Sequence, residues 1–130
     1  MLNKIIPILF LSASVFTMAS CGGGGSALNM QSEIRVPANK ANSATISRTI
    51  ITACAVQGWK PQVSGANQID ATRRKSGHVA KIRIHYTSES FNIKYVDSDN
   101  MNYTGNSISS LYSEWVEDLS NEIKRRLSAL

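Results

Sequence analysis

Cysteine is scarce in this chain: Cys21 and Cys54 are the two among 130 residues. One pair of thiols cannot make the dense crosslinking of a disulfide scaffold, so a packed core has to hold the fold. Histidine is as rare, with His78 and His85. They stand an odd number of residues apart in one alternating segment, project to opposite faces and cannot share a metal. No metal or cofactor is expected. Long apolar runs are missing too: Ile5–Phe16 is broken by Pro7 and serines, well short of the about 20 residues a membrane span needs. No Gly-x-Ser-x-Gly elbow and no phosphate-cradling glycine loop after a strand is present, and no catalytic residue is assigned. Asp97-Ser98-Asp99 opens like a calcium loop. Met101 then occupies the third ligand position and Ile108 that of the bidentate Glu, which excludes a site of that type.

What is present begins at the N-terminus. Lys4 precedes the apolar run, which ends in Thr17-Met18-Ala19-Ser20, and Gly22-Gly23-Gly24-Gly25-Ser26 follows Cys21. A basic start, an apolar stretch of about 7–15 residues and small residues at its end make a secretory signal. Met18-Ala19-Ser20-Cys21 resembles the lipobox of bacterial lipoproteins. The resemblance implies cleavage before Cys21 and acyl chains on Cys21, hence a membrane partner through that anchor and no spanning segment. By analogy with lipoproteins sorted by an Asp after the cysteine, Gly22 directs the chain to the outer membrane. The domain is then expected to face the periplasm.

The expected organisation is a signal peptide over 1–20, a lipidated cysteine and Gly/Ser-rich tether over 21–32, and one domain over 33–130. With Cys21 acylated, Cys54 has no disulfide partner. The formal charge of +5 is unevenly spread. Lys60, Arg73, Arg74, Lys75, Lys81, Arg83 and Lys94 crowd the middle of the chain, against Asp70 and Glu89. Such a middle suits an anionic partner, or simply a solvated sheet face.

Glu33–Pro37 alternates and stops at proline, as a short edge strand does. Asn39–Gln57 is helical, with Ile46, Ile50, Ala53 and Cys54 on one stripe and Gly58 ending it. Cys54 therefore reads as a small buried hydrophobe. Trp59–Arg74 reads as a strand that contains the turn-like Ser64-Gly65-Ala66-Asn67. His78–Thr87 is the clearest strand: Ala80, Ile82, Ile84 and Tyr86 share one face, Val79, Lys81, Arg83 and His85 the other. Phe91–Val96 alternates likewise, with Lys94 on the polar side, and Asp97–Asn100 reads as a turn. Ser107–Leu130 carries Ile108, Leu111, Tyr112, Trp115, Leu119, Ile123 and Leu127 at helical spacing. The fold expected is α+β in two layers: a short edge strand, a helix, a three-stranded antiparallel sheet and a C-terminal helix. Both helices cover one face. Trp59, Tyr86, Phe91, Tyr95, Tyr103, Tyr112 and Trp115 are expected to serve the core.

Gly58-Trp59, Ile69-Asp70-Ala71, His78-Val79-Ala80, Ile84-His85-Tyr86, Phe91–Tyr95, Asp97-Ser98 and Tyr112-x-x-Trp115 form a pattern. It resembles that of a family of small uncharacterised bacterial lipoproteins and secreted proteins. In that family the last helix opens with a His and an Asn where this chain has Ser109 and Ser113. The resemblance implies the fold and an envelope location, and brings no activity with it. The element order also resembles the helix-on-sheet domains of an outer-membrane assembly lipoprotein.

The function expected is a non-enzymatic, lipid-anchored envelope module. It would bind a protein or an anionic polymer through Lys81, Arg83, His85, Lys94 and Arg74, with Thr72 beside them; no nucleic acid is expected. The alternatives are a hydrolase or sensor using His78 with Tyr95 or Asp97, and a structural or oligomerising lipoprotein.

Overall fold

A computed structural model describes residues 28–33 and 42–130. Cys21, the signal segment and Ile34–Pro37 lie outside the described residues. The described residues are α+β, with one antiparallel sheet and two helices. Their elements are β1 (Asn29–Glu33), α1 (Ser43–Val56), β2 (Lys60–Gly65), β3 (Gln68–Lys75), β4 (His78–Tyr86), β5 (Ser90–Asp99) and α2 (Ser110–Ser128). Among the described residues the sheet order is β1-β5-β4-β3-β2, so the first strand lies at the edge beside the last.

Three expectations are corrected here. Four strands, not three, run between the helices, because Trp59–Arg74 folds back on itself. Gly65 pairs with Gln68 and Asn67 takes a left-handed φ of 53°, so the turn-like stretch is a hairpin that divides β2 from β3. The strand at this edge is Asn29–Glu33, most of it within the stretch read as tether; of the expected Glu33–Pro37, residues 34–37 lie outside the described residues. The strand's sequence, Asn-Met-Gln-Ser-Glu, has almost no apolar pattern. It is held by backbone pairing to β5, Asn29 opposite Lys94 and Glu33 opposite Ser90.

The third correction concerns the end of β5, which runs through Asp99 and does not stop at Val96. Lys81 pairs with Asp97 while the next residue, Ile82, pairs with Tyr95, so Val96 is an extra residue bulged out of the ladder. The bulge resets the alternation. Tyr95 stays on the face of Ile82, and Asp97 and Asp99 join Lys81 and Val79 on the opposite face. Asn100, with φ of 57°, then ends the strand.

The helices form where the sequence caps them. Asn42 accepts a hydrogen bond from the Thr45 amide at 2.9 Å, and Ser109 accepts one from the Leu111 amide at 3.3 Å. Gly58, at φ of 83°, takes the left-handed turn after α1. Arg125 and Arg126 in the last turn of α2 offset its dipole, and both bond Glu122.

Ile46, Ile50, Ala53 and Cys54 of α1 and Tyr112, Trp115, Val116, Leu119, Ile123 and Leu127 of α2 are buried. They form one cluster with Ile69, Ala71, Ala80, Ile82, Ile84, Tyr86, Phe91 and Ile93 of the sheet. Each large aliphatic side chain removed from water in this way contributes about 1.5–3 kcal/mol. Trp59 meets Trp115 edge to face, with ring centroids 6.2 Å apart. The guanidinium of Arg73 lies 4.5 Å from the Trp115 ring centroid. Arg73 thus belongs to the helix side of β3, unlike its neighbours Thr72 and Arg74.

Candidate binding face

Residues directly opposite in an antiparallel pair share a face, so the register lays out the uncovered side of the sheet. β2 brings Lys60 and Gln62. Thr72 stands opposite Lys60 and Lys81, Asp70 opposite Gln62 and Arg83, and Arg74 opposite Val79. On β5, Lys94 stands opposite Arg83, Asn92 opposite His85, Asp97 opposite Lys81 and Asp99 opposite Val79.

The expected basic residues Arg74, Lys81, Arg83, His85 and Lys94 therefore do share one face, with Thr72 between Lys60 and Lys81. The face is not uniformly basic, which corrects the expectation. Asp70 takes Arg83 in a two-pronged pair, at 2.8 Å from Nε and 3.1 Å from Nη2. The Arg83 hydrogen bonds hold the Asp70 carboxyl below its ordinary range, and the same pair holds the guanidinium charged. Arg83 is thus already satisfied within the molecule. Asp97 and Asp99 dilute the charge further beside Lys81. Lys94 stands on β5 beside β1, and His85 toward the far end of β4, both away from Arg74.

Two depressions meet at Thr72 and Arg74. One, of about 330 Å³, is lined by Thr72, Arg74, Val79, Lys81 and the Asp97–Asp99 run. It places two cations across from two carboxylates, an arrangement suited to a partner of mixed charge. The other, of about 470 Å³, is lined by Gly58, Lys60, Pro61, Gln62, Thr72 and Arg74. It has no carboxylate in its wall. Among the described residues no acidic side chain pairs with Lys60, Arg74 or Lys81. The ammonium, guanidinium, amide and hydroxyl groups there can all donate to an anion.

Lys60 and Gln62 are the functional candidates that sequence reasoning missed. Their alternation with Pro61 and Val63 is visible in the chain. Only the hairpin places them beside Thr72 and Arg74.

The residues of the alternative reading bond to other partners. His78 lies at the margin of the core with Nδ1 2.7 Å from the Asn100 carbonyl oxygen. The Tyr95 hydroxyl bonds the Ser98 hydroxyl at 2.7 Å, and Asp97 accepts from the Ser98 amide at 2.9 Å on the uncovered face. No hydrogen bond joins His78 to Tyr95 or Asp97. Burial pushes the Cys54 thiol up to about 12. Ser109 caps α2, and the Ser113 hydroxyl is buried without a hydrogen-bond partner. Among the described residues no group of three or more His, Cys, Asp or Glu is placed to hold a metal ion. No helix among them is long and apolar enough to cross a membrane.

No protein-family model, no curated protein and no solved structure matches this chain.

Proposed function

We propose that this protein is a lipid-anchored binding module of the bacterial cell envelope. It carries acyl chains on Cys21 in the outer membrane and holds an anionic group of an envelope protein or polymer against its uncovered sheet face. The observation that carries the reading is the depression between β2 and β3. There Lys60 and Arg74 flank the Thr72 hydroxyl and the Gln62 amide with no carboxylate in the wall. Lys81 extends the cationic border toward the second depression. The module is non-enzymatic in this reading: the face offers donors and charge, and no nucleophile is paired with a base.

The lipobox-like Met18-Ala19-Ser20-Cys21 and the pattern from Gly58 to Trp115 support the envelope assignment, as does the Gly22 that follows the cysteine. The test is a photocrosslinking residue at Gln62 in the full lipoprotein within its own envelope, with mass spectrometry of the adduct. A discrete adduct is expected, and it should vanish in Lys60→Glu/Arg74→Glu. Because both side chains lie on the open face, the double variant should keep its stability within about 1 kcal/mol. An adduct that survives the charge reversal would sink the reading.

A further inference from the structure

Where the chain enters the sheet fixes how an anchored domain must stand. Leu28 immediately precedes β1, and its carbonyl accepts from the Tyr95 amide at 3.1 Å and from the Tyr112 hydroxyl at 3.2 Å. From Cys21 to Leu28 is a covalent path of at most about 25 Å. A domain of about 100 residues has a radius near 17 Å, so the path over its surface to the far side is about 50 Å. The connection is too short to wrap the domain. The surface bordering Leu28 is therefore the one an acylated Cys21 draws to the bilayer.

That surface carries exposed apolar groups that the core does not explain. Four large hydrophobic side chains are exposed among the described residues: Val56, Val63, Val96 and Tyr103. Two of them stand at this corner. Val96, 37% exposed, is the bulged residue next to Tyr95; Tyr103, 46% exposed, stacks on Tyr95 with ring centroids 4.3 Å apart. Lys94 is exposed on the neighbouring position of β5. A tyrosine with an apolar ring and a wet hydroxyl, a bare valine and a lysine able to reach upward are the side chains favoured at a membrane–water interface. Val63 lies on β2, the opposite edge, three strand spacings or about 14 Å from β5.

We infer that the Val96–Tyr103 corner seats in the headgroup region of the bilayer that holds the Cys21 acyl chains. Lys94 stands beside it. The Lys60–Arg74 depression lies across the sheet from that corner, on β2 and β3. This orientation rests on the lipid-anchor reading given above, and it reassigns Lys94 from the ligand site to the membrane.

The experiment uses the acylated full chain in vesicles of phosphatidylethanolamine and phosphatidylglycerol containing a headgroup-proximal nitroxide lipid. A bimane label is placed at Tyr103→Cys, at Val96→Cys or at Val63→Cys; Cys54, fully buried, stays unlabelled. Labels at 103 and 96 are expected to lose about half of their fluorescence, and the label at 63 less than about a tenth. Two independent corner positions guard against a poorly folded variant. Equal quenching at all three positions, or none at 96 and 103 in a chain whose N-terminal peptide shows the acyl mass, overturns the orientation and leaves the anchor standing. An N-terminal peptide without acyl mass overturns both.

Discussion

The two faces of this sheet are written in alternate letters of the same strands, yet they are determined by different physics. On the covered face, Ile82, Ile84 and Ile93 are fully buried in one cluster with the side chains of α1 and α2. On the open face, His85, Arg83, Lys81 and Val79 are partly exposed to water, and their roles depend on which charges the neighbouring strands bring. Packing can be anticipated from one strand at a time. Charge balance needs the register of three.

The contrast is most easily broken on the covered side. Ile84→Ala should cost about 2–5 kcal/mol, because the cavity between sheet and helices is closed on all sides and relaxes only in part; urea unfolding measures it. A smaller effect on the same side separates burial from charge. The Cys54 thiol has its pKa raised from an ordinary 9.0 to about 12, so its protonated form is favoured in the folded state. That contribution to stability is whole below pH 9 and is lost as the pH rises from there toward 12. Cys54→Ala should flatten this limb of the stability profile relative to the parent chain, as urea midpoints between pH 8 and 11 will show.

The smallest effect belongs to the open face. Asp70→Asn removes the carboxylate that occupies Arg83 and should hardly move the thermal midpoint, since the pair is partly exposed. The same change should strengthen capture of the anionic partner and make it more sensitive to salt. A large loss of stability would mean that the pair holds the sheet together and is no bystander to binding.

Much of the fold was legible because burial writes itself into periodicity. The stripe Ile46, Ile50, Ala53 and Cys54 and the alternation Ala80, Ile82, Ile84 and Tyr86 name their elements and faces. Three features escaped for physical reasons. The hairpin at Ala66-Asn67 separates β2, exposed along nearly all its length, from β3, so no second apolar alternation marked a new strand. The extra residue at Val96 interrupts the two-residue period, and a bulge then looks like a strand end. β1 pairs with β5 through backbone hydrogen bonds, and these leave no mark in the sequence. Of the site, the parity of Lys81, Arg83, His85 and Lys94 could be read directly. That Asp70 stands across from Arg83, and Lys60 across from Thr72, is information held in the pairing between strands.

The placement of β1 also sets an order in time. Residues 29–33 are synthesised before the other described strands, and among the described residues they pair with β5, residues 90–99. Until that distant strand exists, the segment closest to Cys21 has no hydrogen-bonding partner in the sheet, and contacts this far apart in sequence form slowly. The end of the domain made first is thus completed late. Anything that holds the newborn N-terminal segment has to release it before Tyr112 can reach back to Leu28.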